Sequence, residues 1–253
     1  MPAEIPVVVC GALGKVGRTV AAAVAAQTDM RLAAAIDLGD NLVDALPGAA
    51  VMVDFTAPDA VFDNARAALA AGVAPIVGTT GMSAEQVDEI ARHAERSELG
   101  GAVIPNFAIG AVLMMRLAET AAPYFESVEV IEAHADTKLD APSGTALATA
   151  RRLASARNQP FAYARPEKVT LANTRGGEEG FVGVHSLRLP GLVADQEIVF
   201  GAQGQTLSIA HRTTSREAFM PGVLATIRAV VAERRFYRSL DEVLGLTADG
   251  DPG

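Results

Sequence analysis

The sequence predicts an α/β protein in two parts, and three observations predict it. Short β-branched runs alternate with alanine-rich helical stretches from Pro6 to Ile104, the pattern of a parallel sheet with helices on both faces. A glycine-spaced turn joins the first such run to the first helix. Beyond Asn106 the texture changes, and three late apolar runs joined by short glycine-containing turns read as antiparallel strands.

Pro6 to Cys10 is a buried strand that enters Gly11-Ala12-Leu13-Gly14-Lys15-Val16-Gly17, and Arg18 to Gln27 follows as a helix. Arg31 to Ile36 is the second strand and ends at Asp37. Ala50 to Phe55 is a strand, Ala60 to Ala71 a helix stopped by Gly72, and Ala74 to Val77 a strand. Ser83 to Arg96 is a helix with Ser83 as N-cap and Gln86 in the capping-box position. Gly101 to Ile104 is a further strand.

Ile109 to Ala122 reads as a helix, Val128 to Ile131 as a strand, and Ser143 to Arg157 as a helix. Asn158 to Gly180 is polar loop around a short strand near Val169. The late strands are Val182 to Leu189, Ala194 to Phe200 and Thr206 to His211. Ser215 caps a long helical region reaching Arg235, with Pro221 as a restart point, and a frayed tail closes at Asp249 to Gly253. The boundaries fall near Asn106 and Ser215, with the last helices returning to the first domain.

At 253 residues and 50% hydrophobic content the chain can bury one large core or two modest ones and is not disordered. A net charge of -9 and a pI near 5.0 argue against duplex nucleic acid or an anionic membrane as partner. One cysteine, Cys10, allows neither an intrachain disulfide nor a zinc cluster, so no metal is expected. Met1 to Pro6 lacks the basic region of a secretory signal, and no apolar run approaches the roughly 20 residues of a membrane span. The expected location is the cytoplasm.

Two stretches carry chemistry. Gly11, Gly14 and Gly17 sit between a strand and a helix, with Asp37 about twenty residues on, the order of a dinucleotide-binding βαβ unit. Asp37 can accept from a ribose hydroxyl, which favours NAD, whereas Lys15 can meet a 2′-phosphate, so NADH and NADPH both stay open. Gly78-Thr79-Thr80-Gly81 and Pro105-Asn106-Phe107 follow further parallel strands, where ligands of open α/β sheets lie.

The second stretch runs from Glu132 to Ala146. His134 and Lys138 can donate protons, and Ser143, Gly144 and Thr145 open a helix whose N–H groups can hold an anion. Lysine occurs only at positions 15, 138 and 168, and two of these lie inside motifs. His93 sits in a polar helix and reads as a surface residue, while His185 and His211 lie in alternating strands.

The glycine turn, Asp54-Phe55-Thr56, Gly78 to Gly81, Pro105 to Gly110 and Lys138-x-Asp140-Ala141-Pro142-Ser143-Gly144-Thr145-Ala146 occur in one order along the chain. With Val184 to Leu189, Gln196-Glu197 and Phe219-x-Pro221-Gly222-Val223, they resemble the 4-hydroxy-tetrahydrodipicolinate reductase (dihydrodipicolinate reductase) family of lysine and diaminopimelate biosynthesis.

The resemblance implies a Rossmann-like cofactor domain from 1–106 and 215–253, and a mixed-sheet α+β domain from 107–214 for substrate binding and oligomerisation as a homotetramer. It implies His134 and Lys138 as catalytic groups and Ser143, Gly144 and Thr145 as binders of a dicarboxylate-like substrate. The dinucleotide would be held by Gly11, Leu13, Gly14, Lys15, Val16, Gly17 and Asp37. Phe55, Thr56, Gly78, Thr79, Thr80, Pro105, Asn106 and Phe107 would complete that site.

Two departures stand out. The family usually has a second histidine where this chain has Ala135 and another where it has Asp195, and Asp136 and Thr137 are also unusual. A divergent member reducing a different cyclic imine or unsaturated acid, and a non-catalytic nucleotide-binding regulator, are the alternatives.

Overall fold

A computed structural model of the chain describes residues 4–246; the tail expected to fray lies outside them. The chain divides into two compact units, one ending at Ile109 and resuming at Arg216, the other spanning Gly110–Ser215.

The first unit opens with β1 (Ile5–Cys10), α1 (Gly17–Ala25), β2 (Met30–Ile36) and a one-turn helix α2 (Leu42–Ala45). It continues through β3 (Val51–Asp54), α3 (Val61–Ala70), β4 (Ala74–Val77), α4 (Ala84–Arg96) and β5 (Gly101–Val103). Every residue of β3 and β4 is buried, as expected of strands covered on both faces. Val8, Met52, Leu46 and Ala68 form one cluster, and Val61, Leu69, Val77 and Ile90 another. The capping box that opens α4 is present: Ser83 N–H donates to Gln86 Oε1 at 2.9 Å and Gln86 N–H to Ser83 Oγ at 3.3 Å.

The second unit holds α5 (Ile109–Ala121), a short 3-10 turn, β6 (Ser127–His134), α6 (Gly144–Ser155), β7 (Gly177–Glu179), β8 (Val182–Arg188), β9 (Ala194–Ala202) and β10 (Gln205–Thr213). Its sheet has the order β10-β9-β6-β8-β7. Here the structure corrects the expected run of hairpins. β8 and β9 do not pair; β6 lies between them, parallel to β8 and antiparallel to β9. The reason is the crossover: a parallel partner for β6 requires a long connection, and α6 is part of it. Only β9 and β10 form the expected antiparallel neighbours. The strand expected near Val169 is absent; Val169 and Leu171 are exposed and no strand pairs with them, while β7 forms later at the β8 edge.

Arg216 returns the chain to the first unit through a 3-10 turn at Arg216–Phe219, α7 (Met220–Glu233), β11 (Phe236–Tyr237) and α8 (Leu240–Val243). The expected helix from Ser215 is therefore split: the α-helix proper begins beside Pro221, which has no N–H to give and suits a first helical turn. It ends at Arg234, in the left-handed conformation with φ 50°. The two-residue β11, absent from the sequence reading, pairs with Gly101–Ala102 and gives the order β11-β5-β4-β3-β1-β2, parallel throughout. Strand β1 has β2 on one side and β3 on the other, so the order reverses there, and the carboxyl end of β1 is a ligand-binding crevice by topology. No helix among the described residues is long and apolar enough to cross a membrane.

Candidate active site

The glycine turn leaves β1 at that reversal point. Gly11 has φ +77°, and a Cβ there would come 2.5 Å from the Phe55 carbonyl oxygen. A Cβ on Gly17 would overlap the Gly11 carbonyl. Only glycine permits a turn folded so tightly against its neighbours, and that turn leads straight into α1.

Two clefts in this unit share Phe55 and Thr56. The first, about 560 Å³, is lined by Gly11, Gly14, Asp37 and Leu38 among others; the second, about 510 Å³, by Lys15, Val16, Gly78, Thr79, Thr80 and Arg216. Asp37 and Lys15, which the sequence left pulling in opposite directions, thus serve different clefts. Pro105 lines a smaller cleft with Thr79 and Thr80. Phe107 is buried with its ring 5.8 Å from that of Phe55, and Asn106 Oδ1 accepts from Ala108 N–H at 2.9 Å. Leu13 lines neither of the two main clefts; its N–H donates to Asp37 Oδ2 at 2.6 Å.

Asp37 also accepts from Leu38 N–H at 2.8 Å. The backbone N–H groups of Leu38 and then Leu13 hold its carboxyl below the usual carboxylate range, so a full negative charge stands in the first cleft. Asp54, fully buried at the end of β3, ties the neighbouring turns together: it accepts from the Thr56 hydroxyl at 2.7 Å, Asn64 at 2.8 Å and the Thr79 hydroxyl at 3.2 Å. Neither Asp54 nor Arg216 was singled out as a site residue by the sequence reading. A buried carboxylate's partners come from separate turns, and local spacing does not show them.

The second unit carries His134 and Lys138, the expected acid/base residues. His134 ends β6, and its Nδ1 lies 2.5 Å from Glu132 Oε2. Lys138 Nζ donates to Asp140 Oδ1 at 2.7 Å. Hydrogen bonding to Lys138 holds the Asp140 carboxyl below its usual range. Ser143 is the N-cap of α6, accepting from Ala146 N–H at 3.2 Å, while its own N–H donates to Glu132 Oε1 at 3.2 Å. Both polar groups of Ser143 are thus engaged in building the turn, and Gly144 and Thr145 stand as the first helical residues.

Two further residues, present in the quoted motifs but given no role, complete the cluster. Glu132 is fully buried and accepts from Arg188 Nη1 and Nη2, each at 2.9 Å. Arg188 Nη2 also donates to the Asp140 carbonyl at 2.6 Å, fixing the loop that carries Lys138.

Asp195 is placed differently from His134. In the β6–β9 register Asp195 is opposite Ala133 and His134 opposite Ala194, so Asp195 and His134 lie on opposite faces of the sheet. Asp195 Oδ1 accepts from Thr213 N–H at 2.9 Å. His185 bonds Glu129 at 2.6 Å on that other face, and burial pushes the His211 imidazole below its ordinary value while the Asp195 charge opposes the shift. No cluster of potential metal ligands occurs among the described residues.

Known proteins resemble the chain along both of its units. Residues 5–107 match the family model for the N-terminus of dihydrodipicolinate reductase and residues 110–244 that for its C-terminus. The 4-hydroxy-tetrahydrodipicolinate reductase of Moorella thermoacetica is 44% identical over 266 residues, covering 96% of this chain and 99% of the relative. That of Gloeothece citriformis is 42% identical over 270 residues, covering 95% and 98%. A solved dihydrodipicolinate reductase from Paenisporosarcina sp. TG-14, with dipicolinate bound, superposes with a TM-score of 0.84 at 38% identity over 95% of this chain and 99% of the other. With both halves matched in order and relatives aligned from end to end, the chain belongs to the dihydrodipicolinate reductase family.

Proposed function

We propose that this NAD(P)H-dependent oxidoreductase reduces 4-hydroxy-tetrahydrodipicolinate or its dehydrated form to tetrahydrodipicolinate, the reduction step of lysine and diaminopimelate biosynthesis. The observation that carries the reading is the joint placement of His134, Lys138 and the start of α6 around one buried carboxylate and its arginine.

The first unit fits a dinucleotide: its cradle is built where side chains would collide, and two clefts flank Phe55 and Thr56. When bound, the reduced dinucleotide supplies the hydride. Gly11, Gly14, Gly17 and the start of α1 hold the pyrophosphate, with Lys15 and Arg216 adding positive charge in the second cleft. Leu13 contributes the backbone N–H that fixes Asp37, Val16 lines the second cleft beside Lys15, and Gly78, Thr79, Thr80 and the turn of Pro105, Asn106 and Phe107 would shape the nicotinamide end.

In the second unit Lys138 is the proton donor and His134 the acid/base partner, each matched to negative charge that develops as the conjugated imine is reduced. The first-turn N–H groups of α6, at Gly144 and Thr145, bind a substrate carboxylate, and Ser143 shapes that turn. We also propose a homotetramer in the cytoplasm, by analogy with the family.

Ala135, where the family usually has histidine, favours a second reading in which the substrate is a different cyclic imine acid. Asp195 does not add to that case, because it faces away from His134.

Asp37 supports NADH as the preferred donor. A fixed carboxylate repels a 2′-phosphate, and about tenfold or more in kcat/KM is expected between the two dinucleotides. Turnover of the hydroxylated substrate with each dinucleotide tests the whole reading. NADH oxidation with NADPH trailing is expected, and the gap closes in Asp37→Asn. Oxidation of neither dinucleotide would overturn the assignment, and equal use of both would overturn the role of Asp37.

A further inference from the structure

Glu132 has no role in the activity as stated so far, yet its two oxygens gather contacts from His134, Arg188 and the Ser143 N–H. Successive side chains of a strand alternate between faces, so Glu132 and His134 share one face of β6. Their register partners on β8, Ser186 and Arg188, share that face too. The buried carboxylate therefore meets the imidazole from its own strand, the guanidinium from β8 and the backbone N–H of the α6 N-cap.

We infer that Glu132 is the positioning residue of the reaction, setting the tautomer of His134 and the place of the α6 carboxylate cradle through one side chain. The inference rests on the reading of His134 as the acid/base group.

The tautomer follows from donor arithmetic. Burial works against charge on Glu132, but hydrogen bonds from Arg188, Ser186 and His134 outweigh it and hold the carboxyl below its usual range. An ionised carboxylate only accepts, so at 2.5 Å the hydrogen belongs to His134 Nδ1. Nε2 is then the nitrogen left to exchange a proton with substrate. Arg188 divides its donors between both carboxylate oxygens and the Asp140 carbonyl, so the carboxylate cannot turn away from the imidazole without breaking the loop anchor.

On the sheet face that carries His134, β6 holds Glu132, β8 Arg188 and β10 His211, and Asp136, Lys138 and Asp140 follow in the loop. Glu129, His185, Asp195 and Glu197 lie on the far face, and Arg151 and Arg152 of α6 pair with Glu179 and Glu119. Of these, Glu132 is the one in hydrogen-bond contact with the imidazole.

Glu132→Gln keeps the shape and removes the charge. Expected are a fall in kcat of about tenfold or more and an unchanged KM for NADH. Glu132→Asp restores part of the rate. In the unaltered enzyme above neutral pH, nitrogen NMR of the labelled His134 ring should show the proton on Nδ1, a readout that needs no variant to fold. A proton on Nε2, or a folded Glu132→Gln enzyme with the parent's kcat, would overturn the inference. His134→Ala separates the two levels: if it retains full kcat, the acid/base reading itself fails, whereas loss of kcat there with an unaffected Glu132→Gln variant refutes the positioning role alone.

Discussion

Replacing Lys138 by alanine is expected to lower kcat by about 10²–10⁴-fold, the usual contribution of a positioned proton donor. Stability should change by no more than about 1 kcal/mol, because Lys138 and Asp140 form a partly exposed pair and such pairs contribute little. The separation matters: turnover collapses while the thermal midpoint stays close to the parent's. The loop should remain in place because Arg188 holds the Asp140 carbonyl independently of the lysine. A folded Lys138→Ala enzyme with nearly full kcat would remove Lys138 from the chemistry.

The second large effect belongs to the glycine turn. Gly17→Val is expected to weaken dinucleotide binding by at least about tenfold, since the new Cβ overlaps the Gly11 carbonyl and backbone rather than a flexible side chain must move. Displacing Gly11 also disturbs its approach to the Phe55 carbonyl, so the damage reaches both clefts. Calorimetric titration with NADH reads this directly. Gly201→Ala, where nothing lies within 4 Å of the added Cβ, is the control and should bind as the parent does. Equal affinity in Gly17→Val and the control would contradict the cradle.

What the sequence made legible was what local physics encodes. Ser83 with Gln86, and Ser143 before Gly144, announced helix starts because a cap and its partner lie within three residues. The buried runs of β3 and β4 are visible as runs because both sheet faces are covered. Non-local pairing was not legible. The insertion of β6 between β8 and β9 depends on where a crossover lands, and β11 is two residues long, too short for any period. Near Val169 an apolar residue in a polar loop imitated a strand that has no partner.

The same limit shaped the reading of the candidate site. His134 and Lys138 stood out because two proton donors lie four residues apart. Glu132 and Arg188 are 56 residues apart, and only the parallel β6–β8 register brings them together. Asp37 and Lys15 looked like competing determinants along the chain, and the turn between them separates them into different clefts. Asp195 looked like added charge near His134 until the β6–β9 ladder put it on the other face.

The central claim is that this acid/base cluster and α6 start serve a cyclic imine dicarboxylate. The most direct measurement is the loss of reduced-nicotinamide absorbance with 4-hydroxy-tetrahydrodipicolinate, set against the monocarboxylate of the same ring that lacks the carboxylate the α6 start would hold. A kcat/KM about a hundredfold or more higher for the dicarboxylate is expected, since the cradle is left unfilled by the smaller acid. Equal or better turnover of the monocarboxylate, or no NADH oxidation with the dicarboxylate, would contradict it.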